Sequence, residues 1–424
     1  MERYEKHRDS NIEWIGEIPE EWSAVPIKNI SKIVAGKTPR SDVAEYWEGD
    51  VAWITPADIS QKWTAVGARN ITEKGRLESG LTEVPQNSII VSNRAPIGLV
   101  TIAANPICTN QGCKALVPHD DDSEYLYYCI SCANHELEKL GKGTTFLELS
   151  AQDLGHFSVP WPNSKTRICI SEYLKSKTLK IDALVEQVEK SIKLLEEYRK
   201  SIISETVTKG LNPDVSMKDS GIEWIGEIPE HWEIKKFKYI ASVAANLVNP
   251  SDYPDYRQVS PERMEKETGI LLECDTVLSS GVESDNHLFK TGSILYSKVR
   301  PILNKVALAP FDGLCSADIY PIVTSSCSKW LLYTMLSRPF VFQVRISTDR
   351  VKMPKVNKEE LGTFLIPVPP VDEQEEIALR LDITVHGLNQ VIQKKKSFVN
   401  QLHAYRKSLI SEAITGKFKV PGVE

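Results

Sequence analysis

Residues 9–22 read DSNIEWIGEIPEEW, and residues 219–232 read DSGIEWIGEIPEHW, with twelve of fourteen positions identical. A second pair of segments follows the same logic. YRKSIISETVTKG (198–210) recurs as YRKSLISEAITGK (405–417), with eight of thirteen positions identical. The two offsets, 210 and 207 residues, divide the chain into half-chains of nearly equal length. A period this long means two domain-sized copies and not a solenoid of small repeats.

Between the repeated pieces the copies diverge in residues but agree in outline. SIIVSNRAPIGLVTIA (88–103) corresponds to SILYSKVRPILNKVALA (293–309), and each predicts a strand, a turn at the Arg-Ala-Pro or Arg-Pro step, and a second strand. A helix follows in each, over 124–140 and 328–345. Each copy then leaves its globular part through a proline segment, LGHFSVPWP (154–162) or LGTFLIPVPP (361–370), which no helix can include.

Beyond each proline segment lies a long helical stretch. Ile181, Leu184, Val188, Leu195, Tyr198 and Ile202 fall at heptad spacing with Ser191 as interruption. Leu388, Val391, Phe398, Leu402, Tyr405 and Leu409 do the same around Lys395. Such a ladder over about three heptads predicts a coiled-coil seam. A run of ~45 residues is about 65 Å long, more than one small domain covers. The expected order is a globular domain over 1–162, a spacer helix over 163–210, a second globular domain over 211–370, and a second helix with its tail over 371–424. The fold class is α+β: two mixed α/β globular domains separated by two long helices. These pair as an antiparallel coiled coil with pseudo-two-fold symmetry, which places each entry box at a helix end. The first and last residues of the chain are then expected to be neighbours.

Composition bounds the function classes. Apolar and charged fractions of 41% and 25% suit a soluble protein with a real core. No apolar run approaches the ~20 residues of a membrane span. The start, MERYEKHRDSN, has no apolar signal region, so the expected location is cytoplasmic, with no membrane partner. The net charge of −6 argues against coating nucleic acid by bulk charge, although local patches decide phosphate binding. The copies differ here: 23–157 holds 16 acids against 12 bases, and 233–364 holds 15 against 17.

Motifs for catalysis are missing from the sequence: there is no GxxxxGK[ST], GxGxxG after a strand, GxSxG or HExxH. Cys108, Cys113, Cys129 and Cys132 form C-x4-C…C-x2-C, a spacing that can hold zinc, with small apolar core residues as the alternative.

The two DSxIEWIGEIPExW boxes, the two YRKSxISExxT helix ends and the paired proline exits resemble the DNA-specificity subunit of type I restriction–modification systems. The resemblance covers the whole chain. GKTPRSDVAEYWEGDVAWITPADI (36–59) and SNRAPIG (92–98) are similar to one class of target-recognition domain in that family. The resemblance implies a non-catalytic subunit whose two target-recognition domains each read half of a split double-stranded DNA target. It implies helices that act as spacer and as dock for two methyltransferase subunits, joined by two restriction/translocase subunits. It implies that S-adenosylmethionine, ATP and magnesium serve those partners, in adenine methylation and restriction, and that this chain binds no cofactor or metal itself.

Loops on a rigid scaffold are the expected DNA contacts. In the first domain these are Lys37, Thr38 and Arg40, then Asn93 and Arg94, then Lys142 and Thr144. In the second they are Ser297, Lys298 and Arg300, then Arg350, Lys352 and Lys355. Arg suits guanine in the major groove, while Lys and hydroxyls more often hold phosphates. Each could instead be a solvated charge or turn former, and Arg94 and Arg300 could be ion pairs that support the fold. A protein-binding scaffold and a fused restriction–methylation enzyme stay open as alternatives.

Overall fold

A computed structural model describes residues 2–143, 147–348 and 354–423. The chain forms two compact units, one of Met1–Gln187 with Phe398–Glu424, the other of Val188–Ser397. Both long helices, Ser164–Lys209 and Val371–Ile414, contribute to each unit.

The repeated box folds the same way in both. Strands His7–Asp9 and Glu17–Pro19 pair antiparallel in the first unit, as do Met217–Asp219 and Glu227–Pro229 in the second. Between them the Asp carboxylate accepts the amide two residues on (Asn11 N to Asp9 at 2.8 Å, Gly221 N to Asp219 at 2.9 Å). The following Ser hydroxyl accepts the Ile12 or Ile222 amide, at 3.2 Å in each. One of the two positions that differ, Asn11/Gly221, has φ of 57° and 71°. Asn and Gly are the residues that tolerate the left-handed region, so this difference leaves the turn unchanged. Ile15, Ile18 and Trp22 are buried, as are Ile225, Ile228 and Trp232, whereas Ile12 is half-buried and Trp14 stacks on Phe157 at 5.4 Å.

Each box seats on helix ends of its own unit. Trp22 and Pro19 crowd Gly416, and Trp232 and Pro229 lie against Gly210. Trp232 Nε1 donates to Glu373 at 2.9 Å, at the start of the second helix. In the first unit the chain ends meet: Lys419 N donates to Glu2 O at 2.8 Å and Lys417 Nζ to Glu17 O at 2.9 Å.

The common plan extends into the divergent parts. In the first unit the strand order is Ser31–Ala35, Cys113–Pro118, Ile89–Ser92, Val100–Ala103 and Trp63–Thr64. In the second it is Ala241–Val243, Ile319–Thr324, Ile294–Ser297 and Val306–Leu308, the same order without the last strand. The strands flanking each Arg-Pro turn are neighbours in both sheets. A second sheet packs beside each, of three strands in the first unit and four in the second, with a parallel pair in common, Cys108↔Trp53 and Leu314↔Gln258. The proline exits form strands Ser158–Trp161 and Leu365–Val368, paired with Ser23–Pro26 and Glu233–Lys236. Each expected helix before the exit is broken in two. Ser123–Cys132 and Asn134–Lys139 meet at buried Ala133, and Ser328–Leu336 and Arg338–Thr348 meet at Ser337, with Pro339 next to the break.

The long helices run antiparallel within each unit. In the first, Cys169 Sγ reaches Gly422 O, Tyr173 packs on Phe418, and Asp182 accepts from Arg406 at 2.8 and 3.2 Å, so one number falls as the other rises. In the second, Glu196 pairs with Lys396 at 2.9 Å and Arg199 donates to Asn389. The seam itself differs from the expected ladder. The buried stripe runs through Ile181, Val185, Val188, Ile192 and Arg199, and in the second helix through Ile392, Val399 and Ile410, while Ile203, Leu381 and Val385 join the globular core of the second unit. Leu195, Ile202, Leu388 and Leu402 border it half-buried, and Leu409 is buried. Leu184, Tyr198, Val391, Phe398 and Tyr405, expected in the seam, are exposed at 38%, 56%, 43%, 42% and 52%. Half of the ladder holds, and the other half moves by one residue: Val185, Arg199, Ile392, Val399 and Arg406 take the inner places expected of Leu184, Tyr198, Val391, Phe398 and Tyr405, and the two arginines each have an acceptor on the facing helix.

Candidate nucleic-acid interface

Three loops converge at one end of the main sheet in the first unit. Residues 36–40 leave the strand Ser31–Ala35, and Lys37 N donates to Thr109 O at 2.9 Å. Thr38 Oγ1 donates to Gln111. Asn93 N donates to Gly112 O at 2.9 Å, joining the Arg-Ala-Pro turn to the same ledge. Leu149 N then donates to Asn93 O, and Arg94 bridges Glu148, which adds the loop before the helix Ala151–His156. The expected residues Lys37, Thr38, Arg40, Asn93, Arg94 and Lys142 therefore belong to one set of contiguous loops.

Their side chains are not equally free. Lys37, Thr38 and Arg40 are exposed, and Arg40 pairs with Asp42 at 2.7 Å. Arg94 is half-exposed and pairs with Glu148 at 3.0 Å; Lys142 pairs with Asp153 at 3.0 Å. Asn93 is a correction: it is fully buried and donates to Glu148 at 3.0 Å. It closes the strand Ile89–Ser92, where a side chain supports the turn and does not face solvent. Lys114, 8% exposed, adds a third basic or amide neighbour to Glu148 at 3.9 Å. Thr144 lies outside the described residues.

The second unit builds the same ledge with other residues. Lys298 N donates to Asp318 O, Val356 N to Lys298 O and Arg300 N to Pro354 O, so the Arg-Pro turn, the 316–319 loop and the 354–356 loop adjoin. Arg300 is exposed, with φ of 47°, which turns the backbone sharply ahead of Pro301. Lys355 is exposed and lies 3.6 Å from Asp318; half-buried Lys298 lies over the Tyr320 ring at 5.0 Å. Ser297 is the second correction: it is 2% exposed and donates to Val299 O, for the reason that holds at Asn93. Arg350 and Lys352 lie outside the described residues. Gln111, Asp318 and Tyr320 were not expected from the sequence, because TNQG (109–112) and SADIY (316–320) carry no basic or glycine-rich signal; their symmetric place in the two copies is the one cue.

The four cysteines gather no metal site. Among the described residues there is no cluster of three or more His, Cys, Asp or Glu side chains that could hold an ion. Burial pushes the Cys108 and Cys113 thiols up to about 12, and Cys129 well above the ordinary thiol range, as core residues. No helix among the described residues is long and apolar enough to cross a membrane.

Comparison with known proteins agrees with this architecture. The model of the family described as type I restriction modification DNA specificity domain matches twice, over residues 19–194 and 229–401. The MjaIX specificity subunit of Methanocaldococcus jannaschii is 27% identical over 424 residues, 96% of this chain and 95% of that one. The EcoDI specificity subunit of Escherichia coli is 27% identical over 310 residues, 70% of each chain. A solved structure, described as the structural basis of complex assembly and conformational transition of the type I R-M system, shares the fold with a TM-score of 0.65. It is 13% identical and covers 94% of this chain and 99% of its own. The matched domain serves DNA specificity and not catalysis, and the chain belongs to the family of type I restriction–modification specificity subunits.

Proposed function

We propose that this chain reads a bipartite, asymmetric double-stranded DNA target, with one globular domain on each half. The observation that carries the reading is a common frame with unlike loops. Both sheets have the same strand order and present their Arg-Pro turns at the same place, yet the residues on the ledges differ. A frame that repeats while its loops diverge is what recognition of two different half-sites requires. Half-sites about one turn apart, roughly 34–36 Å, present the same face of a duplex.

In this reading the ion pairs Arg94–Glu148, Arg40–Asp42 and Lys355–Asp318 hold the basic groups in place and exchange to phosphate or base edges on binding. The apolar side chains outside the seam, Leu184, Tyr198, Val391, Phe398 and Tyr405, are the dock for two methyltransferase subunits. Two restriction/translocase subunits complete a cytoplasmic assembly. S-adenosylmethionine, ATP and magnesium are used by the partners for adenine methylation and cleavage.

The test is a complex reconstituted with methyltransferase subunits and offered targets mutated in one half at a time. Arg94→Ala and Arg300→Ala each reduce discrimination at one half-site only, by about 1–3 kcal/mol for a base contact, or lower the salt slope by about one for a phosphate contact. Unchanged discrimination and salt slope in both variants, or equal loss at both halves, would refute the reading.

A further inference from the structure

The two copies meet their helices through the same positions with opposite charge. The helix Ser123–Cys132 corresponds to Ser328–Leu336 at an offset of 205 residues, with Ser123/Ser328, Leu126/Leu331 and Tyr128/Tyr333 shared. The long helices correspond at an offset of 207. At these offsets Glu124 matches Lys329, and Lys175 matches Asp382. In the first unit Glu124 accepts from Lys175 at 3.0 Å; in the second Lys329 donates to Asp382. A tyrosine stands beside each pair: Tyr333 donates to Asp382 at 2.7 Å, and Tyr128 accepts from Lys62, itself bonded to Glu124.

About two turns earlier along the long helix the asymmetry is buried. Arg167 holds Asp122 by two bonds of 2.8 Å, their side chains 7% and 5% exposed, and donates to Pro162 O at 2.6 Å. The matching positions are Gln374 and Cys327. Gln374, 1% exposed, donates to Pro369 O at 2.9 Å and accepts the Cys327 amide at 3.1 Å. Arg167 and Gln374 thus tie the proline exit to the recognition domain in the same way, but Arg167 alone uses a carboxylate.

We propose that each globular domain is keyed to its own stretch of long helix by this reversed charge code, so that neither domain seats stably on the other copy's stretch. Exchange would put Glu124 against Asp382 and leave Asp122 buried without a cation. It would also put Lys329 against Lys175 and bury Arg167 without a carboxylate. The half-buried Lys–carboxylate pairs contribute modestly, and the buried Arg167–Asp122 pair dominates, because removing one partner strands a charge. The entry boxes, nearly identical between copies, supply no such discrimination. The code lets a chain that contains its own frame twice fold each domain onto the correct helix.

The experiment uses full-length chains in which residues 23–162 and 233–369 trade places. The exchanged chain should lose about 10 °C or more in its lowest thermal transition, or fail to fold. The same chain carrying Arg167→Gln, Lys175→Asp, Gln374→Arg and Asp382→Lys should recover at least half of that loss. In the natural order, Lys175→Asp should lower the transition and Glu124→Lys should restore it. The code is overturned by an exchanged chain as stable as the natural one. It is equally overturned if the four helix substitutions recover nothing, whether the exchanged chain folds or not. Circular dichroism of the isolated chain reads all arms without DNA, so the outcome is independent of the proposed function.

Discussion

Replacing Val185 and, separately, its neighbour Leu184 with aspartate tests the position of the helix seam. The two substitutions install the same side chain one residue apart, so most of the intrinsic helix cost of Asp cancels. Val185 is 7% exposed. Removing its burial costs about 2 kcal/mol, and leaving a carboxylate among apolar neighbours adds at least a further ~2 kcal/mol. Leu184 is 38% exposed, and an aspartate there keeps contact with water, for a loss of about 1 kcal/mol. The expected gap is about 3 kcal/mol. In a unit of this size that is roughly 6–12 °C between the two melting temperatures. Thermal unfolding of the isolated full-length chain measures it. A Leu184→Asp protein that melts at or below the temperature of Val185→Asp would return the seam to the Leu184–Tyr198 ladder and refute the burial argument.

Two further predictions concern the joints. Burial pushes the Glu124 carboxyl up, but the bonds from Lys175 and Lys62 outweigh it and hold the group below its ordinary 4.5. A lowered folded value means the contribution to stability is complete above 4.5 and fades as pH falls through the folded value. Glu124→Gln should therefore melt a few degrees lower than the natural chain near pH 7, with the difference narrowing below pH 4.5; a difference constant with pH would contradict the ion pairing. A circular permutant that opens the exposed 211–216 segment, starts near Asp219 and joins residue 423 to residue 2 by a short linker should fold with an unchanged circular dichroism spectrum and the same DNA preference, since Lys419 and Glu2 are already hydrogen-bonded. A permutant that fails to fold would show that the 211–216 connection, and not the contact between the chain ends, is what the second box requires.

Much of the fold was legible because duplication is visible without any structural knowledge. The boxes, the proline exits and the strand–turn–strand segments appear in the order in which they are found. The seam was legible as a period and not as a register. A ladder drawn through apolar residues selects Leu184 and Tyr198, whereas the structure buries Arg199 against Asn389, a partner 190 residues away. No local pattern announces that an arginine has a distant acceptor. The same limit applies to the ledges. Asn93 and Ser297 look like donors beside a turn, but each side chain is used to build that turn. The uncharged loop at Gln111 carries no basic or glycine-rich signal of its own, and its place beside Thr38 follows from sheet order.

The composition of the two units bears on the order in which the protein matures. The second unit is one continuous stretch, Val188–Ser397, and every residue it needs leaves the ribosome in sequence. The first unit also needs Phe398–Glu424, which holds Arg406, the partner of Asp182, and Gly416, the seat of the first box. After Gln187 is made, 210 residues (188 through 397) must be added before that last piece begins. At 5–20 residues per second the wait is roughly 10–40 s. The half that is translated first is thus completed last, and a chain that terminates early can finish its second unit while leaving its first permanently open.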